Sequence, residues 1–206
     1  MVSTLESLIT GHWPLATEWC VLSFFLRLVY QLFMAELKVL FTRQQIAQRV
    51  CELAQDITRD FQGQPVVFVA VLKGASIFLS DLARSVQLDA TFDFIGVSSY
   101  GNQKQSSGEV RLTKDVDQPL TGKNVILVED ILDTGLTTLY LKRMLLTHEP
   151  RSFKIAALLD KACRRVHDIK ADYVGFTIPD EFVIGYGMDY DERYRNLPDI
   201  CVLREE

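Results

Sequence analysis

VILVEDILDTGLTT, Val125–Thr138, drives four apolar residues directly into two acids, Glu129 and Asp130. Ile131 and Leu132 follow, then Asp133, and then a stretch of threonine and glycine. With Asn124, the apolar run has the length and continuity of a strand buried on both faces, the mark of a parallel sheet. An open α/β sheet binds its ligands just outside the carboxyl ends of its strands, and Glu129 and Asp130 fall at that end of Asn124–Val128.

The pattern repeats on either side. Thr42 and Gln45 form a capping box, with Phe41 and Ile46 as its hydrophobic staple. Ile46, Val50, Leu53, Ile57 and Phe61 then recur at helical spacing until Gly63 and Pro65 stop the helix. PVVFVAVL, Pro65–Leu72, is a second buried strand, and KGASIFLSDLARSV, Lys73–Val86, reads as a loop opening a second amphipathic helix. TFDFIGVSSY, Thr91–Tyr100, is a further strand; the segment 101–123 is polar and turn-rich. After Val125–Thr138 come a helix closed by Pro150, the buried strand SFKIAALLD, Ser152–Asp160, and the strand ADYVGFTIP, Ala171–Pro179. Strands alternating with helices predict an α/β fold, a central parallel sheet flanked by helices.

The chain of 206 residues suits one domain, and 48% apolar composition supports a sizeable core. A net charge of −5 gives no sign of the basic face that nucleic acid requires, so no nucleic-acid partner is expected. Cys20, Cys51, Cys163 and Cys201 form no CxxC pair and read as reduced thiols of a cytoplasmic protein. His12, His148 and His167 share no metal-ligand spacing and none neighbours a nucleophile, so polar chemistry falls to carboxylates, lysine and backbone groups.

The leader, residues 1–33, stands apart. EWCVLSFFLRLVYQLF, Glu18–Phe33, is apolar and aromatic but interrupted by Arg27 and Gln31. It is shorter than the roughly 20 apolar residues of a spanning helix, and acids rather than bases precede it, unlike a signal peptide. Three readings stand: a translated upstream region with Met34 as the true start, an extra helix packed on the domain or a partner, or a weak interfacial anchor. The first is preferred, with residues 34–206 as the domain and no stable membrane association.

A glycine at the start of a helix lets backbone approach a ligand, and free amide groups there attract an anion. Thr134, Thr137 and Thr138 add hydroxyl donors beside Gly135. The spacing is not that of a Walker A loop, and a cradle this short suits one phosphate. Glu129 and Asp130 suit two adjacent hydroxyls, or a magnesium ion that those hydroxyls also bind. Together these features describe a ribose 5-phosphate, whereas a single acid at a strand end is ordinarily a solvated cap.

The stretch resembles the signature of the type I phosphoribosyltransferases, and more narrowly that of the hypoxanthine-guanine enzymes, over about Leu37–Val202. The resemblance implies the type I fold, with a small hood over the carboxyl edge. Lys73 and Gly74, in VAVLKGASIF, lie at a helix start and by physics alone form a second anion site. The resemblance makes it the pyrophosphate site, and in the family the peptide matching Leu72–Lys73 is often cis. Ser99 and Tyr100, in a polar loop that otherwise reads as a solvated hairpin tip, become a lid that excludes water from an oxocarbenium-like transition state. Lys161, just past a buried strand, matches a lysine that donates to the 6-oxo group of the base. Phe182 is placed to stack on a flat ring, with the Val183 backbone at the base edge. Asp189 matches a ligand of a second magnesium, and Arg195 a pyrophosphate-contacting arginine, whose guanidinium fits two phosphate oxygens.

The resemblance thus implies purine salvage: transfer of the phosphoribosyl group from 5-phosphoribosyl 1-pyrophosphate to hypoxanthine or guanine, giving IMP or GMP and pyrophosphate. Mg2+ is the implied cofactor, held by Glu129, Asp130 and Asp189. Asp133 is the implied catalytic residue, taking or sharing the N7 proton, and a homodimer or homotetramer is the implied assembly. Two alternatives stand beside this: an RNA-binding regulatory relative, which should be more basic, and a transferase of the same fold acting on adenine, orotate or uracil.

Overall fold

In the computed structural model, which describes residues 37–99 and 110–203, the five predicted strands lie side by side in one sheet, which a sixth strand extends at its edge. The elements are β1 (Lys38–Phe41), α1 (Arg43–Asp60), β2 (Val66–Leu72), α2 (Ser76–Ser85), β3 (Ala90–Ser99), β4 (Val110–Lys114), β5 (Asn124–Leu132), α3 (Leu136–Leu146), β6 (Ser152–Asp160), β7 (Tyr173–Thr177), β8 (Val183–Ile184) and β9 (Ile200–Val202). A short 3-10 turn, Ala162–Arg164, comes after β6. The sheet order is β4-β3-β2-β5-β6-β7, parallel from β3 to β7.

Period-two alternation divides each buried strand between two cores. Val66, Phe68 and Ala70 of β2 pack with Ile126 and Val128 of β5 beneath α1 and α2. Val67, Val69 and Val71 pack with Val125 and Leu127 against Leu141 and Leu145 of α3. A strand with both faces covered must be apolar at every position, which is why these runs show no alternation in sequence. Helix α1 begins as predicted: the Thr42 side chain accepts from the Gln45 amide, and the Gln45 side chain accepts from the Thr42 amide at 2.9 Å. Phe41 stacks on Phe176, ring centres 4.0 Å apart.

Two expectations need correction. The polar segment 101–123 contains strand β4, antiparallel to β3 (Ser98↔Arg111, Val97↔Leu112). Its inward residues include Leu112, which packs on the α3-side core, but the exposed Arg111 and Thr113 alternate with them and Lys114 ends the strand, hiding it in average polarity. The buried Asp93 carboxylate ties down the turn after β4, accepting from the amides of Asp117 at 2.7 Å and Gln118 at 3.2 Å. Burial alone would raise this carboxyl, but the amides that donate to it hold it below the ordinary carboxylate range. Strand β5 also runs four residues beyond Val128, so Glu129 and Asp130 lie within its paired length, Glu129 opposite Ala157.

The hood is a separate three-stranded sheet, β1-β9-β8, in which Val183 pairs with Val202. The chain therefore closes on itself, with its first described strand beside its last. Tyr186 and Met188, between β8 and β9, are buried in the core beneath α1 and α2, and the Tyr186 hydroxyl donates to Asp81 at 2.6 Å.

Candidate active site

Strand β2 leads through α2 to β3 on one side, and β5 leads through α3 to β6 on the other. The order therefore reverses between β2 and β5, and the crevice at their carboxyl ends is where an open α/β sheet takes its ligand. The loop after β2 meets β5 there at close quarters. A Cβ added to Gly74 would lie 1.8 Å from Asp130 Oδ2. The Leu72–Lys73 peptide is cis.

Glu129 and Asp130 do not act as one pair. Adjacent strand residues point to opposite faces. Asp130 turns to the Gly74 loop, while Glu129 turns to α3, where the Thr138 hydroxyl donates to it at 3.1 Å. That hydroxyl, read from sequence as a ligand donor, is engaged inside the protein. Glu129, 4% exposed, has its carboxyl pushed up to about 8, by burial first and by the Asp130 charge second. Asp130 is pushed up to about 6 by burial, against backbone amides and Arg195 that favour its charge.

Both groups bind protons more tightly folded than unfolded. Their contribution to stability is complete below about pH 4, and it is lost as pH rises through about 6 and then about 8. The melting temperature of the ligand-free protein should therefore fall between pH 5 and pH 9, each group costing up to about 1.4 kcal/mol for every pH step between its unfolded and folded values. Glu129→Gln should flatten that slope. A variant as steep as the wild type would exclude Glu129 as its source.

Beside the crevice lies a cleft of about 370 Å³ lined by Asp130, Ile131, Asp133, Lys161, Arg164, Phe182, Val183, Met188 and Asp189. Lys161 is 6% exposed, and among the described residues no carboxylate pairs with it. Phe182, 45% exposed, meets Tyr190 edge-on with ring centres 5.8 Å apart. Asp133 Oδ1 is buried and lies 3.1 Å from Arg164 Nε without a hydrogen bond to it, while the Asp133 side chain as a whole is 40% exposed where it lines the cleft.

The loop Asp133–Thr138 opens α3 through Gly135, at φ +87, where a Cβ would strike Ile169. The Thr134 carbonyl accepts from the Val166 and His167 amides at 3.0 and 3.1 Å, and Arg165 bonds both the Asp133 carbonyl and Asp160. The first-turn amides of such a helix have no acceptor within it. Thr134, Gly135 and Thr137 stand at that start, outside the cleft lining.

Lys73 and Arg195, from opposite ends of the domain, come together through Glu192, which sequence reasoning did not single out. Lys73 Nζ donates to Glu192 Oε2 at 2.8 Å, and Arg195 Nη2 lies 2.9 Å from Asp189 Oδ1. Arg164 was also missed, although a basic pair beside Lys161 is a fair signal of an anionic ligand. Ser99 ends β3, while Tyr100, expected beside it in a lid, and the leader lie outside the described residues.

Residues 37–191 match the phosphoribosyl transferase domain, and the chain belongs to that family. Within it, the chain is 48% identical over 169 residues to the hypoxanthine-guanine phosphoribosyltransferase of Streptococcus thermophilus strain CNRZ 1066, covering 82% of this chain and 94% of that protein. It is 47% identical over 167 residues to the Bacillus subtilis enzyme of the same name, covering 81% and 93%. Among solved structures, a hypoxanthine-guanine phosphoribosyltransferase from Bacillus anthracis, with HEPES in its active site, is 51% identical with a TM-score of 0.78, covering 81% of this chain and 98% of that one. A hypoxanthine phosphoribosyltransferase from Staphylococcus aureus gives 44% and 0.80, covering 84% and 95%.

Proposed function

We infer that this chain is a 6-oxopurine phosphoribosyltransferase of purine salvage. It joins hypoxanthine or guanine to 5-phosphoribosyl 1-pyrophosphate and releases IMP or GMP with pyrophosphate. The observation that carries the reading is the cleft itself. An unpaired buried lysine, an exposed phenylalanine and the partly exposed carboxylate of Asp133 line one space, beside the crevice where Lys73 and Arg195 gather.

Lys161 donates to the 6-oxo group, Phe182 stacks on the ring, and the Val183 backbone meets the base edge. Asp133 takes or shares the N7 proton as the base attacks C1 of the ribose, and pyrophosphate leaves toward Lys73, Gly74 and Arg195. Asp130 takes the ribose hydroxyls, with Glu129 buried behind it on the α3 side; Thr134, Gly135, Thr137 and the amide of Thr138 take the 5-phosphate. The lid of Ser99 and Tyr100 closes against water.

No group of three acids, histidines or cysteines among the described residues could hold a metal alone. The charges of Asp130 and Asp189 oppose one another, as a divalent cation between such carboxylates would relieve. Magnesium usually binds through one or two carboxylates together with substrate phosphates and water, so this set fits it. Asp130 and Asp189 would hold such ions, with Glu129 in support, and a bound ion would supply positive charge against that of the pyrophosphate.

The test is a turnover screen of purified protein with hypoxanthine, guanine, xanthine, adenine, orotate and uracil, each with the phosphoribosyl donor. Turnover confined to 6-oxopurines supports the reading; turnover of adenine or a pyrimidine alone overturns it. Lys161→Gln should weaken guanine and hypoxanthine more than adenine, because glutamine can donate or accept where lysine only donates. Unchanged relative rates would show that Lys161 does not read that position.

The assembly is a homodimer or homotetramer and the site of action the cytoplasm. No described helix is long and apolar enough to cross a membrane. Met34 is the functional start, with residues 1–33 dispensable: the chain begun at Met34 should match the full-length form in melting temperature and turnover. If Phe24, Phe25, Leu26 and Leu28 packed in the core, their loss would cost roughly 1.5–3 kcal/mol each, beyond what an ordinary domain absorbs. A truncated protein that unfolds would make the leader a structural element.

A further inference from the structure

Glu192 has no part in the proposed reaction, yet it occupies the point where the two pyrophosphate cations meet. Its Oε2 accepts from Lys73 Nζ at 2.8 Å, and its Oε1 lies 3.5 Å from Arg195 Nη2, so each oxygen serves one cation. Its backbone is held in place: the Glu192 amide donates to Asp189 Oδ2 at 2.9 Å, and Asp191, Glu192 and Tyr194 all stand at positive φ. Non-glycine residues adopt that conformation at a cost, and only where their surroundings enforce it. Arg195 Nη1 donates to the Gly187 carbonyl at 2.8 Å, while its buried Nε has no acceptor. A guanidinium with an unused buried donor, beside a lysine and bridged to it by one carboxylate, has the outline of an anion site filled from within.

We propose that Glu192 is an internal stand-in for pyrophosphate, holding Lys73 and Arg195 together in the unliganded protein and leaving both when a diphosphate arrives. The proposal rests on the reading of Lys73 and Arg195 as pyrophosphate contacts. Glu192 and Lys73 are 64% and 67% exposed, so the contact is weak enough to be displaced. A diphosphate carries more charge than one carboxylate and offers more oxygens to the two cations. The carboxylate therefore holds Lys73 beside Arg195, whose Nη2 also lies 2.9 Å from Asp189 Oδ1, yet it opposes every diphosphate that binds. It weakens the binding of the donor and of product pyrophosphate alike.

The test is calorimetric titration of inorganic pyrophosphate, with and without Mg2+, into full-length wild type, Glu192→Gln and Lys73→Gln. Glutamine keeps the size and loses the charge. Glu192→Gln should bind pyrophosphate about 3- to 10-fold more tightly, the effect of releasing two exposed contacts, and its donor KM should fall in step. Lys73→Gln should bind more weakly than wild type. Affinity unchanged or weakened in Glu192→Gln, with a melting temperature near that of wild type, would overturn the proposal, since Glu192 would then be idle or a scaffold for the cations. Lys73→Gln binding as tightly as wild type would instead overturn the assignment of this site, and the proposal with it.

Discussion

Asp133→Asn should lower turnover by about 10²- to 10⁴-fold, the usual range when a general base is lost, with little change in the donor KM. The split follows from what the variant removes. Asparagine fills the same space and still accepts a hydrogen bond, but it cannot take a proton. The loop that Asp133 begins is held through backbone groups, by Val166 and His167 on the Thr134 carbonyl and by Arg165 on the Asp133 carbonyl, and none of these changes. The phosphate cradle should therefore keep its form while the proton loses its acceptor. Steady-state kinetics with hypoxanthine, beside a melting curve, checks both halves. Turnover near that of wild type would remove Asp133 from the mechanism, and a donor KM that rises with the loss of rate would make it a binding residue.

Much of this site is legible in the chain because its parts sit at the ends of strands that announce themselves. Val66–Leu72, Asn124–Val128 and Ser152–Asp160 are apolar almost throughout, since both faces of each are covered, and the residues after them fall at the ligand edge by topology alone. The capping box at Thr42 is equally plain, being a contact between residues three apart. Strand β4 is not, because a half-exposed edge strand rich in charge resembles a loop.

Sequence order could not give the relations among distant residues. Glu129 and Asp130 look like a pair in the chain, but the alternation of a strand sends one to Thr138 and the other to Gly74. Glu192 lies 119 residues from the lysine it touches, and nothing in its local pattern marks it. Arg164 gains its place only when the turn after β6 sets it between Asp133 and Asp180, at 3.1 and 3.2 Å. Such contacts are products of the folded sheet, so they come from the topology and not from any spacing.

Gly74→Ala should cost at least about 10² in kcat/KM for the donor, the scale expected when a reacting group is misplaced by about 1 Å. The new methyl would stand 1.8 Å from Asp130 Oδ2 and 2.5 Å from its Cγ, well inside any permitted contact. One of the two must move, and the Gly74 loop is poorly placed to do so. On its far side the backbone of Gly187, at φ +103, presses so near that a Cβ there would lie 2.1 Å from the Gly74 carbonyl oxygen. Behind it, the Ala75 amide bonds the Val71 carbonyl at 3.1 Å and the Ser76 amide the Lys73 carbonyl at 3.2 Å. Relief must come chiefly from the Asp130 side chain, a carboxylate at the mouth of the crevice. The cost to stability should be the ordinary one of overpacking, about 1–3 kcal/mol, which leaves the protein folded and the rate measurable. A double-mutant cycle isolates the cause. If the methyl acts by displacing Asp130, then Asp130→Ala loses a comparable factor, and adding Gly74→Ala to it costs little more, because the colliding oxygen is gone. Losses that simply multiply in the double variant would show that Gly74 serves the site by another route, most directly by bringing its own amide to the departing pyrophosphate.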